Sequence, residues 1–164
     1  LDVSGSMLEA MYGRKVGKRP AARIDIAKQE LSAAIANLEP QALFNILVFS
    51  NGVEPWRKDG MAKNTEADRA EALQWIERLG AAGGTNLYDS LATAFKEKDV
   101  DTIFVMSDGE PTVGAQIDPH RIRSDIAEWN EHRKIKIHTI AVGGNFEILE
   151  WLAQDSGGKH TQMR

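Results

Sequence analysis

The stretch TIFVMSD, residues 102–108, decides the fold, and it reads in two parts. Ile103 to Met106 form a continuous apolar run too short for a helix. It has no polar alternation, as in a strand covered on both faces. Ser107 and Asp108 then close it with a hydroxyl and a carboxylate. A carboxylate ending a buried strand needs a partner or a ligand, because taking it out of water uncompensated is costly.

On either side of this strand the apolar period alternates between helical and extended. In 22–38, Ile24, Ala27, Leu31, Ala34, Ile35 and Leu38 follow helical spacing until Pro40 stops the run. ALFNILVFS (42–50) reads as one buried strand closed by the turn pair Asn51-Gly52. Val53 to Arg57 fits an edge strand, where the missing N–H of Pro55 is tolerated. Glu66 to Leu79 is helical, anchored by Leu73, Ile76 and Leu79. GAAGGTN (80–86) leads into a helix from Leu87 to Lys98. Pro119 can open a further helix through Ile122, Ile126 and Trp129. IKIHTIAVG (135–143) is a strand, and Phe146 to Ala153 is a short helix ended by Gly157-Gly158. Lys159 to Met163 makes a last strand. Strands alternating with helices predict an α/β fold: a doubly wound, mostly parallel open sheet with helices on both faces.

Composition narrows the function. The 164 residues suit one domain, with 42% hydrophobic and 27% charged residues. A net charge of -4 gives no electrostatic reason to expect nucleic acid or an anionic membrane as partner. No stretch approaches the ~18 apolar residues of a membrane span. The absence of cysteine excludes a disulfide, a zinc–thiolate site and a thiol nucleophile. Cellular compartment stays open.

In open α/β sheets ligands bind beyond the carboxyl ends of the strands. Three oxygen-bearing clusters fall there or in nearby loops. They are Asp2, Ser4 and Ser6 in LDVSGSM (1–7), Thr85 after Gly83-Gly84, and Asp108. Taken alone, D-x-S-G-S is a turn or a helix cap. Together the clusters make an all-oxygen donor set, which suits a hard divalent ion, Mg2+ before Mn2+ or Ca2+. Two carboxylates with neutral hydroxyls only balance such an ion, leaving it able to bind another anionic oxygen. Without the ion the two carboxylates repel, so removing Asp108 is expected to stabilise the metal-free protein. His120, His132, His138 and His160 show no metal-ligand spacing. The glycine-rich loop lacks the Gly-Lys-Ser/Thr ending of a phosphate-binding loop, and Gly143-Gly144 lacks the full dinucleotide fingerprint.

DVSGS at 2–6, GGT at 83–85 and SDG at 107–109 resemble the metal-ion-dependent adhesion site of the von Willebrand factor type A domain. The surrounding segments NILVFS, GGTNLYDSL, TIFVMSDGEPT and HTIAVGG are similar to bacterial members of that family. The resemblance implies that Ser4 and Ser6 bind the metal directly. It implies that Thr85, Asp2 and Asp108 exchange direct for water-mediated contact. It also implies a partner protein whose Glu or Asp carboxylate fills the open metal position. In the family a central strand leads into the first aspartate, flanked here by Phe44–Phe49 and Ile103–Met106, and a last helix follows the final strand. Only Leu1 remains of that strand, so residues 1–164 are expected to be one domain truncated at both ends.

RKVGKR (14–19) puts four positive charges in what reads as a loop. Arg14 and Lys15, with Glu110 two residues past Asp108, are candidates for a partner-binding rim, and Trp56 for an aromatic contact. The function expected is a divalent-metal-dependent protein-binding module, not an enzyme, since the motifs place no histidine or lysine as a general base. A metal-dependent phosphohydrolase is the alternative, with an aspartyl nucleophile at a strand end. It would want an acidic residue where Ser4 stands, and a lysine in a later motif, where none stands out. A scaffold beside an ATPase in a larger assembly is the third reading.

Overall fold

The structure is a computed structural model that describes residues 1–164. A short 3-10 turn, Gly5–Leu8, is followed by an antiparallel hairpin, β1 (Ala10–Val16) and β2 (Arg19–Ala22). Then come α1 (Arg23–Ala36), β3 (Leu43–Phe44), β4 (Leu47–Phe49), β5 (Val53–Pro55) and β6 (Ala62–Lys63). α2 (Glu66–Arg78) and α3 (Leu87–Lys96) lead to β7 (Thr102–Ser107). α4 (Pro119–Arg133), β8 (Lys136–Val142), α5 (Glu147–Ser156) and β9 (His160–Met163) complete the chain.

β7, β8 and β9 pair in parallel, in that order. β5 pairs antiparallel with β4, and β6 with β3. Residues 1–3 join the two groups. The Asp2 N–H donates to Met106 O at 2.8 Å on one side. On the other, the Val3 N–H donates to Phe49 O at 2.9 Å and the Phe49 N–H to Leu1 O at 3.0 Å. The segment thus lies between β4 and β7, the two flanks expected from the sequence.

Successive strand residues point into opposite cores, as the pleat requires. Val48, Met106 and Val142 enter one, with Ile24, Ala27 and Ile35 of α1 and Ala72 and Ile76 of α2. Phe49, Val105 and Ala141 enter the other, with Leu87, Leu91 and Phe95 of α3, Ile122 and Ile126 of α4, and Ile148, Leu149 and Leu152 of α5. Helices therefore cover both faces of a mostly parallel sheet. Local chemistry sets the helix ends: Thr65, Asn86 and Asp118 accept the backbone N–H groups of Asp68, Asp89 and Arg121 as N-caps. Gly157, at φ 73°, closes α5 in the left-handed conformation that favours glycine.

Three local expectations change. The basic stretch 14–19 is not an irregular loop but the tip of the β1–β2 hairpin, whose connection opens with Gly17 at φ 60°. Glycine with positive φ there suits a two-residue hairpin turn. ALFNILVFS is not one strand, because Asn45 interrupts it. Its Oδ1 accepts from the Ile46 and Arg57 N–H groups and its Nδ2 donates to Arg57 O and Gly60 O. Phe104, expected to be covered, is 53% exposed and stacks on His138 with ring centroids 4.9 Å apart.

Candidate functional site: an oxygen cradle at the strand ends

Backbone bonds staple three loops together. The Gly5 N–H donates to Gly83 O at 2.9 Å and the Ala82 N–H to Val3 O at 2.8 Å, tying the first loop to the second. The Thr112 N–H donates to Thr85 O at 3.0 Å and the Thr85 N–H to Thr112 Oγ1 at 2.8 Å, tying the second to the third. Both glycines before Thr85 are needed. Gly83 has φ 85°, and a Cβ on Gly84 would meet Thr112 Oγ1 at 2.9 Å and the Val113 methyls at 3.0 Å.

The five oxygen-bearing residues singled out from the sequence fall in these loops. Asp2, Ser4, Thr85 and Asp108 are all buried and Ser6 is half-buried. Asp2 Oδ1 accepts the Ser4 N–H at 2.8 Å and Asp2 Oδ2 accepts Ser107 Oγ–H at 2.5 Å. Ser4 Oγ lies 3.1 Å from Ser6 Oγ, and Ser6 Oγ donates to Asp108 Oδ1 at 2.8 Å. Thr85 is the outlying member. Its hydroxyl would stand 3.8 Å from a Cβ on Gly109, beside Asp108. Burial pushes the Asp2 carboxyl above its ordinary value. Hydrogen bonds from Ser107 and Ser4 partly offset this, and the Asp108 charge adds to it.

Nowhere do three His, Cys, Asp or Glu side chains converge as metal ligands. An ion held here would rest on two carboxylates and three hydroxyls. That donor set is all oxygen and matches hard divalent cations in chemistry.

Sequence reasoning missed Arg23. Its Nη1 donates to Asp108 Oδ2 at 2.8 Å, while Nη2 reaches Glu9 Oε2 at 2.8 Å. The two carboxylates therefore do not face each other without a cation, so removing Asp108 would break an ion pair as well as relieve repulsion, and a loss of stability is the new expectation. A signal was present: Arg23 opens a helix, where the helix dipole disfavours positive charge.

The rim candidates are dispersed. Arg14 and Lys15 are exposed on β1 and form no ion pair. Glu110 is exposed beside α5, its carboxyl pushed up by partial burial and by the Glu147 charge. No ion pair joins it to the hairpin. Trp56 is packed, not presented. It stacks on Phe44 at 5.3 Å and carries the Arg57 guanidinium 4.4 Å over its ring. No helix is long and apolar enough to cross a membrane.

The von Willebrand factor type A domain profile matches residues 16–161, a span that begins after the first loop of the cradle. Human von Willebrand factor A domain-containing protein 3A is 29% identical over 121 residues, 71% of this chain and 10% of its own length. Mouse inter alpha-trypsin inhibitor heavy chain 4 is 29% identical over 171 aligned residues, 96% of this chain and 17% of its own. The chain therefore spans a small part of the curated relatives it matches. Among solved structures, a von Willebrand factor type A protein from Catenulispora acidiphila superposes with a TM-score of 0.79. It is 20% identical, over 99% of this chain and 37% of that one. The manganese-loaded TRAP protein of Plasmodium vivax gives 0.67 at 16% identity, over 94% and 60%. With the family profile spanning most of its length and the sheet order, two-sided helix cover and strand-end loops in place, this chain belongs to the von Willebrand factor type A domain family.

Proposed function

We propose that this domain is a protein-binding module whose cradle holds one divalent cation, Mg2+ before Mn2+ or Ca2+, and through it captures an acidic residue of a partner. One observation carries the reading. Asp2, Ser4, Ser6 and Asp108, drawn from two loops 102 residues apart, are joined in one hydrogen-bonded chain, from Asp2 to the Ser4 N–H and from Ser4 Oγ through Ser6 Oγ to Asp108 Oδ1. Thr85 from a third loop stands beside them. Domains of this family typically serve protein–protein interaction, which supports the class of function. The bound ion would supply a Lewis-acidic position for a partner Glu or Asp carboxylate.

The chain's own residues do the rest. Ser4 and Ser6 offer neutral lone pairs, so they hold a cation without quenching it. Asp2 is oriented by the Ser4 N–H and by Ser107. Those bonds occupy both of its oxygens inside the protein, which disfavours a role as a phosphohydrolase nucleophile. Arg14, Lys15 and Lys18, exposed and without ion pairs on the hairpin, add positive charge that would favour the approach of acidic surfaces.

Calorimetric titration of metal-stripped protein with Mg2+ and Mn2+ tests the cradle. One equivalent is expected to bind and to raise the melting temperature by mass action. A folded sample that takes up neither ion at millimolar concentration sinks the assignment.

A further inference from the structure

Arg23 is the first residue of α1, yet its side chain turns inward and is only 18% exposed. It crosses the backbone at the end of β8 so closely that a Cβ on Gly143 would lie 2.3 Å from Nε. Gly143 also sits at φ 78°, so glycine is required twice over. Arg23 Nε is buried and makes no hydrogen bond. An orphaned buried donor is unfavourable, so a strong opposing attraction must hold the guanidinium in place. Asp108 supplies it. Its side chain is fully buried, and both oxygens are engaged, Oδ1 by Ser6 and Oδ2 by Arg23. The charge of Asp108, one of the two carboxylates of the cradle, is thus balanced by a residue of the chain itself.

We propose that Arg23 is an internal counter-cation that competes with the divalent ion for Asp108 and so sets the metal affinity of the cradle. This rests on the reading of the cradle as a metal site. Two cations drawing on one carboxylate a few ångström apart repel in a poorly solvated site. Arg23 has a second anchor, since Nη2 already touches Glu9 Oε2 at 2.8 Å. The Glu9 side chain is 62% exposed, so a guanidinium that yields Asp108 to the ion moves toward solvent without losing its last ionic partner. Metal entry is therefore an exchange of cations at one carboxylate, with Glu9 receiving the displaced one.

Arg23→Gln removes the charge, and Arg23→Lys keeps a charge but loses the two-pronged reach. Free Mn2+ is followed by electron paramagnetic resonance during titration of each metal-stripped protein, and thermal melts are recorded in EDTA. Arg23→Gln is expected to bind Mn2+ at least about tenfold more tightly than the natural protein and to melt at a lower temperature in EDTA. Arg23→Lys falls between on both readouts, and carries the test if the glutamine variant does not fold. Natural protein that binds Mn2+, with variants that bind no more tightly, overturns the competition and leaves the cradle standing. Mn2+ binding absent from all three proteins overturns the cradle itself and this proposal with it.

Discussion

Two strand ends supply one carboxylate each to the same site, and they are built in opposite ways. Asp2, at the end of the segment between β4 and β7, is fully buried and meets only neutral donors. Burial pushes its carboxyl up, so its ionised form is the less comfortable one. Asp108, at the end of β7, is as deeply buried but carries a guanidinium on one oxygen. Burial alone therefore does not fix what a carboxylate contributes. The charge of its nearest donor does, because a paired buried ion leaves an uncompensated charge behind when its partner is removed.

The largest effect expected from that contrast is on Asp108→Ala. The change strands Arg23 with Glu9 as its only partner and is expected to destabilise the metal-free protein by about 3 kcal/mol. Chemical denaturation in EDTA measures it, and an unchanged or raised midpoint would mean the pair contributes nothing. Asp2→Asn is expected to do the reverse on a smaller scale. Asparagine keeps an acceptor for the Ser4 N–H and removes a disfavoured buried charge, so stability holds or rises by up to about 1 kcal/mol. Mn2+ uptake by the proposed cradle is expected to be lost all the same. Equal damage from Asp2→Asn and Asp108→Ala in EDTA would erase the distinction.

The smallest effect concerns Asp25, whose carboxylate takes both prongs of Arg19 at 2.7 and 2.9 Å in an exposed setting. The Arg19 hydrogen bond holds its carboxyl below the ordinary value. That contribution is present above an unfolded aspartate's pKa of about 3.9 and fades as pH falls through the lower folded value. Asp25→Asn should thus cost a little stability at pH 6. The gap to the natural protein should close as acid unfolding is followed downward, and a gap constant with pH would assign the cost to the helix cap instead.

Much of this site was legible in the sequence because it is built from short strand-end segments. Asp2, Ser4 and Ser6 lie within five residues, Thr85 follows two glycines with a visible steric purpose, and Asp108 closes the most apolar strand. Those features are local, and so were the alternating periods that predicted the two-faced sheet. What stayed hidden depends on distance along the chain. Arg23 reaches Asp108 across 85 residues, and only the awkwardness of a cation at a helix start hinted at it. The hairpin was obscured because its exposed strands carry charge where a buried strand would show an apolar period. Asn45 broke an apolar run through three hydrogen bonds to Arg57 and Gly60, residues that only the fold brings near.

The β1–β2 hairpin has one more consequence, for chain connectivity. It is the only covalent path from the first cradle loop to the other two, and its tip presents Lys15 and Lys18 to solvent. The bond after Arg19 precedes proline, so a trypsin-like protease has its openings on the ribbon after Arg14, Lys15 and Lys18. A single cut there severs the first loop from the rest in covalent terms. Non-covalent contacts alone then hold Asp2, Ser4 and Ser6 in place: the backbone bonds of residues 1–9 to the rest of the chain, the Ser107–Asp2 and Ser6–Asp108 hydrogen bonds, the Arg23–Glu9 ion pair and the buried side chains of residues 1–11. Nicked protein would keep its shape under native conditions and shed the first loop on denaturation. A bound ion, pinning both pieces through side chains from each, would slow that separation.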